Sequence, residues 1–395
     1  MKKLISFLCL SALLLTSAVM TSCEVNQTPV ETTTEATATE GSATEETVVT
    51  TTAGDSNDTT PENGYLKTVK LSSNISGIHV YGKRVLENRN YLNCDYSGSG
   101  IEFVVDSEGG DILLATKTEG ACRFLVTLDG ESISADGYVT VDGSADIVFK
   151  NLIPGKHTVR VIKLTGYEQA TARFYSLKFY GKILSSEAPA EKPLLVEFLG
   201  GDAATGLGIN DQDATKAYPY LLANALETEY SIMGLKDTDL LNTMKSVYTL
   251  ASYKKEAETL HTFATKADAT VIHVGSNGMD AEAFTAAYRA LLASVRENNG
   301  VKSRIVCFYN AEDTVAATAI TALCNEFGGE RSLYFAYALS VKDSGALTAE
   351  EQIALKDAML PLLKTALETE APSNSLVVGN GDKIEIDFDY SEIGK

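Results

Sequence analysis

The sequence predicts two folded units: an all-β sandwich of the jelly-roll type, then an α/β unit whose parallel sheet carries helices on both faces. Near residue 190 the hydrophobic period changes from about two residues to about 3.6, which indicates a change from strands alone to alternating strands and helices. The chain has 395 residues, 44% of them hydrophobic, and can bury more than one core. The segment 185–192, rich in Ala, Glu and Pro, is the predicted linker.

Residues 65–184 form the predicted sandwich. Short alternating or fully apolar runs recur there, and turn signals such as Asp142-Gly143 and Pro154-Gly155 separate them. No helical period of comparable length intervenes, which favours a jelly roll. The predicted strands are 78–81, 101–105, 123–127, 147–149 and 158–162.

Residues 193–370 form the predicted α/β unit. The last helix begins with a capping box at Thr348, and alternating βα units imply a parallel sheet covered on both faces. Residues 371–395 form a C-terminal extension with a hairpin at 376–388. The predicted strands are 194–199, 269–274, 304–309 and 332–338, and the predicted helices are 215–229, 280–298, 317–327 and 348–368.

The first 23 residues are typical of an export signal. Two lysines precede the apolar run 4–19, and Met20-Thr21-Ser22 leads to Cys23. This pattern resembles the bacterial lipobox, which implies lipidation of Cys23 and anchoring on the outer face of a bacterial membrane. An ordinary secretory signal cleaved elsewhere is the alternative.

Residues 24–64 contain many Thr and Glu and no Lys or Arg. Such a segment buries too little apolar surface to offset the entropy of ordering, so we expect it to be disordered. Between an anchor and a folded region it would act as an acidic tether, extended by charge repulsion. The alternative is a tail without a spatial role.

The formal net charge of −20 disfavours nucleic acid and anionic membrane surfaces as partners. Membrane contact is therefore expected only through the lipid, whereas a neutral polysaccharide or oligosaccharide meets no such repulsion. No cofactor or metal is predicted, because the sequence has no nucleotide-binding motif, no C-x-x-C and no clustered histidines. Cys94 and Cys122 could form a disulfide or remain buried thiols.

The turn Gly201-Asp202-Ala203-Ala204-Thr205 follows the apolar strand 196–199. It resembles the nucleophile turn of SGNH-type hydrolases, in which a serine sits at the start of a helix whose free N–H groups hold an oxyanion. Here the serine position falls on Ala203, or on Asp202 in the other register, and neither side chain has a hydroxyl. Asp202 could in principle act as a nucleophile or base, but the simpler interpretation is a carboxylate stabilised by a helix dipole. Thr205 offers a hydroxyl, but without a partnered base it is not activated.

Further motifs accompany this turn in a fixed order. They are 95–103, 128–130 and 152–163 in the first unit, and 217–219 and 274–277 in the second. Together, over residues 70–368, the sequence resembles carbohydrate esterase family 2, whose members remove acetyl groups from plant polysaccharides. The resemblance implies a sandwich followed by an SGNH-hydrolase-like, flavodoxin-like α/β domain.

Transfer of the family's site residues gives a degenerate site. Asn277 matches the asparagine that donates to the oxyanion, with a loop-stabilising role as the alternative, and Gly234 is the candidate for the second donor. In the segment 341–347, Asp343 persists, but Gly345 or Ala346 stands where the family has its catalytic histidine.

The four histidines of the chain do not fill that gap. His273 lies within the apolar strand 271–274, which favours a buried and fully hydrogen-bonded histidine. His79 and His157 belong to predicted sandwich strands, and His261 to a helical stretch.

The sequence thus favours a surface pseudo-esterase that binds carbohydrate without hydrolysing it. An active polysaccharide O-deacetylase with displaced catalytic residues is the second interpretation, motivated by Asn277 and the retained architecture. A non-carbohydrate interaction protein is the third.

Overall fold

We describe a computed structural model of the chain, which covers residues 66–71, 75–82, 91–210, 212–235, 248 and 266–371 and the backbone of 375–377 and 383–385. The predicted signal peptide with Cys23, the acidic tether and His261 lie outside the described residues. Of the described helices, none combines the length and hydrophobicity needed to cross a membrane.

The first part of the described chain is antiparallel throughout. Its strands form one curled sheet, in the order β7-β6-β10-β4-β11-β5-β9, with β1 and β3 on β11, β2 on β4 and β8 on β6. The strands are β1 (Leu66–Lys70), β2 (Ile78–Tyr81), β3 (Leu92–Asn93), β4 (Gly100–Ser107), β5 (Gly110–Glu119), β6 (Cys122–Leu128), β7 (Glu131–Ser132), β8 (Val139–Val141), β9 (Ser144–Leu152), β10 (Gly155–Lys163) and β11 (Thr171–Ile183).

Strand β11 joins the two halves of this sheet. Its first part pairs with β5, and Gly181–Ile183 pair with β4. Gly181 has a φ of +121°, and a Cβ there would collide with the carbonyl oxygen of Asp106, so glycine permits the change of partner.

One apolar core fills the space between the two halves. Phe103 and Phe124 from one half and Phe149 and Phe174 from the other are fully buried, and the ring centroids of Phe124 and Phe174 lie 5.7 Å apart. Alternate residues of β4 and β5 point into this core, which explains the period of two in the sequence. The antiparallel fold is confirmed; the jelly-roll connectivity is a finer statement that stays a prediction.

The second part contains a five-stranded parallel sheet in the order β13-β12-β14-β15-β16. Most of the strand residues are buried, because helices cover both faces. Helices α2 and α3 share one apolar cluster with the sheet, and α1 and α4 share another. This confirms the predicted α/β architecture. The elements are β12 (Leu195–Gly200), α1 (Tyr218–Ala225), β13 (Glu229–Gly234), β14 (Ala269–His273), α2 (Ala281–Asn299), β15 (Arg304–Asn310), α3 (Thr314–Glu326), β16 (Tyr334–Leu339) and α4 (Ala349–Glu368).

One predicted element is wrong in extent. A helix is predicted over 215–229, but the helix in the structure, α1, is shorter. It begins at Tyr218, has Pro219 in its first turn and ends at Ala225. The following residues form β13, an edge strand that the sequence analysis did not predict. Two further short strands, β17 (Ser375–Val377) and β18 (Lys383–Glu385), pair antiparallel within the C-terminal extension.

The antiparallel and parallel parts make direct polar contacts. The Tyr230 hydroxyl donates to the carbonyl oxygen of Gly98 at 2.9 Å, and Arg160 Nη2 donates to the Tyr220 hydroxyl at 2.7 Å. Tyr96 and Tyr167 of the antiparallel part are buried in the apolar cluster beside α2. The two parts therefore share buried surface.

Candidate functional site

A cavity of about 250 Å³ opens at the edge of the parallel sheet where the strands end. All five strands run in the same direction, so the loops after β12, β14, β15 and β16 meet at this edge. The described residues that line it are Gly201, Ala203, His273, Val274, Gly275, Asn277, Tyr309, Asn310, Glu312, Asp313, Asp343 and Ser344.

The turn after β12 forms one wall of the cavity. Asp202–Thr205 form a single 3-10 turn, and Ala203, 2% exposed, contributes a methyl group. Gln352 Nε2 of α4 donates to the carbonyl oxygen of Ala203 at 2.8 Å. The Thr205 hydroxyl donates to the carbonyl oxygen of Asp202 at 2.7 Å and accepts from Gln212 Nε2 at 2.5 Å. The turn is thus firmly held, yet it offers the cavity no nucleophilic hydroxyl.

His273, the last residue of β14, lines the cavity and is 8% exposed. Its Nε2 is 3.2 Å from Asp343 Oδ2, and its Nδ1 is 3.2 Å from the Tyr218 hydroxyl. Both ring nitrogens therefore have partners, as the sequence analysis expected of a buried histidine. Its position on the cavity wall was not predicted.

Asp343 stays ionised in this network. Burial alone would raise the pKa of its carboxyl group, but hydrogen bonding and charge attraction from His273, together with the Asn310 amide, hold that pKa below its usual value. Asn310 Nδ2 donates to Asp343 Oδ1 at 3.0 Å. An ionised carboxylate only accepts, so in neutral His273 the proton sits on Nε2, and Nδ1 accepts from the Tyr218 hydroxyl.

Asp313 connects the loops that follow β14 and β15. Its Oδ1 accepts from the Ser276 hydroxyl at 2.8 Å and from the Ala316 amide at 3.0 Å, which caps α3, and its Oδ2 accepts from the Ser276 amide at 2.7 Å. The adjoining Asn277 is exposed, with a φ of +48°, and lines the cavity. This loop thus presents an asparagine to the cavity from a turn fixed by a carboxylate.

The structure brings Ala203, Asn277 and Asp343 to one cavity, and leaves the other family positions outside its lining. Gly234 ends the buried strand β13, where a Cβ would collide with Thr205 Cγ2. Asp202 is half-buried beside the cavity, and Gly345 lies in the loop after β16 with a φ of +68°.

The other described histidines, and the described cysteines, do not line the cavity. His79 contacts the Glu229 carboxylate at 3.2 Å, and His157 contacts that of Asp129 at 2.8 Å. In the described part of the chain, no three His, Cys, Asp or Glu side chains are placed to hold a metal ion. The four described cysteines are buried free thiols: Cys94, Cys122, Cys307 and Cys324.

The site residues that were not predicted from the sequence are Tyr218, Tyr309, Asn310, Glu312 and Asp313. A usable signal existed for four of them, because they lie at or just after the end of the predicted parallel strand 304–309, and residues at the ends of such strands converge at one edge. Tyr218 lies at the start of α1, within the motif 217–219 noted in the sequence, although no site role was assigned to it there.

With this geometry, the chain can be compared with known proteins. Residues 80–186 match the family model for the carbohydrate esterase 2 N-terminal domain. The resemblance seen in the sequence is thereby confirmed for the antiparallel part. A search of curated protein sequences found no match.

Solved structures extend the likeness over both parts. A family two carbohydrate esterase from Cellvibrio japonicus has a TM-score of 0.66 and 14% identity, covering 77% of this chain and 99% of that one. A family two esterase from Clostridium thermocellum, in complex with cellohexaose, gives 0.63 and 17%, covering 74% and 100%. An acetyl xylan esterase from Butyrivibrio proteoclasticus gives 0.63 and 16%, covering 76% and 98%. At these identities the likeness establishes a shared fold.

Proposed function

We propose that this protein is a pseudo-esterase: it keeps the fold and the cavity of the family two carbohydrate esterases, binds carbohydrate there and does not hydrolyse esters. One observation carries the proposal. The turn that would hold the nucleophile presents the methyl group of Ala203 to the cavity.

The methyl group of Ala203 matters because ester hydrolysis on this turn would require a nucleophile there. Nucleophilic catalysis needs a hydroxyl hydrogen-bonded to a base that can take its proton. His273 is the one histidine among the described residues of the lining, and its two nitrogens are engaged by Tyr218 and Asp343. In a serine protease such as subtilisin, loss of nucleophile and base leaves only the contribution of binding and oxyanion donors.

Binding is supported by the composition of the cavity. Tyr309 is a half-buried aromatic side chain, and Asn277 and Glu312 are exposed polar side chains beside it. Sugars combine apolar ring faces with hydroxyl groups, so an aromatic surface flanked by polar groups is a suitable receptor. The volume lies slightly below the range of about 300–1,000 Å³ for small-molecule pockets, which suits a single sugar ring or a chain end. The fold relative with bound cellohexaose supports the ligand class.

We also propose that the protein is exported and lipidated on Cys23, with residues 24–64 as a flexible tether, and that its antiparallel part is a jelly roll. The sequence pattern alone supports the export signal and tether. A tether of this composition would hold the cavity away from the membrane, within reach of extracellular glycans.

A second candidate function is polysaccharide O-deacetylation with displaced catalytic residues. The observation that favours it is the imidazole–carboxylate pair of His273 and Asp343 on the cavity wall. For this pair to act as a base, the Tyr218 hydroxyl would have to leave Nδ1.

Two measurements on the full chain test both candidates. Calorimetric titration with cello- and xylo-oligosaccharides should show binding that Tyr309→Ala weakens, and assays on acetylated xylo-oligosaccharides should show no turnover above the uncatalysed rate. Turnover that His273→Gln abolishes would replace the pseudo-esterase with the deacetylase. Absence of binding to any glycan would refute the proposal.

A further inference from the structure

The charged side chains of the cavity lining are nearly all of one sign. Glu312, Asp313 and Asp343 contribute carboxylates, and among the described residues the lining contains neither Lys nor Arg. The one imidazole among the described lining residues, that of His273, can carry at most one positive charge. The net charge of these residues is therefore negative in either protonation state of that ring. The nearby Lys342 does not neutralise it, because its ammonium group bonds the Glu351 carboxylate and the carbonyl oxygen of Ala346.

The three carboxylates differ in what they offer a ligand. Asp343 accepts from His273 and Asn310, and both oxygens of Asp313 accept from the protein. Glu312 is exposed at the start of the loop after β15, and its carboxylate has no side-chain partner within the described residues. Asp343 and Asp313 therefore supply negative charge, and the Glu312 carboxylate is available for direct contact with a ligand.

We propose that the cavity selects a glycan carrying a protonated amine, an amino sugar whose nitrogen is not acetylated, and that Glu312 is the residue that contacts the ammonium group. This rests on the proposed function, because it names the class of glycan bound in the same cavity. A uronic acid would be repelled by the lining, and a neutral sugar would gain no charge attraction. The Tyr309 ring, which lines the same cavity as the carboxylates, gives an ammonium group a second favourable surface.

Carboxylate–ammonium attraction at a solvent-exposed rim is modest. For two unit charges about 4 Å apart in water it corresponds to roughly a fivefold change in affinity. The expected preference for the free amine over its N-acetyl form is therefore about fivefold or more at low salt. It should shrink as the salt concentration rises, because exposed charges are screened.

The test compares three hexasaccharide probes by calorimetric titration of the full chain, near pH 6, where the amines are protonated. The probes are the hexamer of glucosamine, its N-acetylated form and cellohexaose. Glu312→Gln keeps the shape of the side chain and removes its charge. Glu282→Gln is the matched control, since Glu282 is exposed in the first turn of α2, outside the cavity lining, and changes the net charge equally.

The proposal predicts that the glucosamine hexamer binds most tightly and that Glu312→Gln, unlike Glu282→Gln, removes most of this preference. Equal affinity for all three probes would overturn the amine preference and leave glycan binding intact. Equal losses in the two variants would also overturn it, since they would show attraction by the overall charge of −20. Binding of none of the probes would refute the proposed function itself.

Discussion

The double substitution Ala203→Ser with Gly345→His should create measurable esterase activity. Residue 203 already lines the cavity on a turn that Gln352 holds in place, so a serine there would present its hydroxyl without rebuilding the backbone. A correctly placed general base contributes about 10²–10⁴-fold. We therefore expect the double variant to exceed the single variants by about 100-fold in hydrolysis of an aryl acetate.

The structure also sets the stability cost of this change. A Cβ at Gly345 would meet no atom within 4 Å, so the first side-chain atom of the histidine has room. The φ of +68° is nevertheless unfavourable for an L-residue, at about 1–2 kcal/mol. The melting temperature should fall by about 2–8 °C, at roughly 2–4 °C per kcal/mol for domains of this size.

Ala204→Ser with Gly345→His is the control. Ala204 lies on the same turn but is fully buried outside the cavity lining, so its hydroxyl cannot reach a substrate. Ala346→His tests the alternative register of the base. If neither histidine position gives activity with Ala203→Ser, although both double variants are folded, the assignment of residue 203 as the lost nucleophile position is wrong.

Three further predictions follow from other groups. Cys23→Ser should abolish metabolic labelling by a fatty acid, and unchanged labelling would reject the lipid anchor. Gln352→Ala should lower the free energy of unfolding in urea by about 2–4 kcal/mol, because two buried backbone groups lose their partner; a cost no larger than that of the exposed Lys364→Ala would contradict this. Asp343 has a lowered pKa, so its stabilisation is present above its unfolded pKa of about 3.9 and is lost as pH falls toward the folded pKa. Asp343→Asn should flatten this part of the acid unfolding profile, and an unaltered profile would show that another group causes it.

Much of the fold could be predicted because burial imposes a period on the sequence. The alternation in β4 and the long amphipathic helix α2 both leave such a period. The edge strand β13 gave no usable signal, because it is short and its six buried residues include the polar Glu229 and Ser231, so burial is not reflected in an apolar pattern. The curled pairing of β11 with two partners depends on Gly181, and sequence alone does not indicate those partners.

The site was predictable only where local sequence determines it. The turn around Ala203 was found because five adjacent residues define it. The environment of His273 was not found, because its partners Tyr218 and Asp343 lie 55 and 70 positions away along the chain. Such contacts arise from the strand order, which a single sequence leaves open.

The hydrogen bonds of Gln212 have a consequence for how the protein unfolds. Its Oε1 accepts from the Gly166 amide of the antiparallel part at 2.7 Å, while its Nε2 donates to Thr205 in the turn of the parallel part. Tyr220 and Tyr230 also form hydrogen bonds between the two parts. Together with the hydrogen bonds of Gln212, they couple the thermal unfolding of one part to that of the other. Thermal unfolding of the described region should therefore be one cooperative transition, and the amide protons of the turn should exchange with deuterium only through that global opening. Deleting the antiparallel part would expose the turn even though its own sequence is intact.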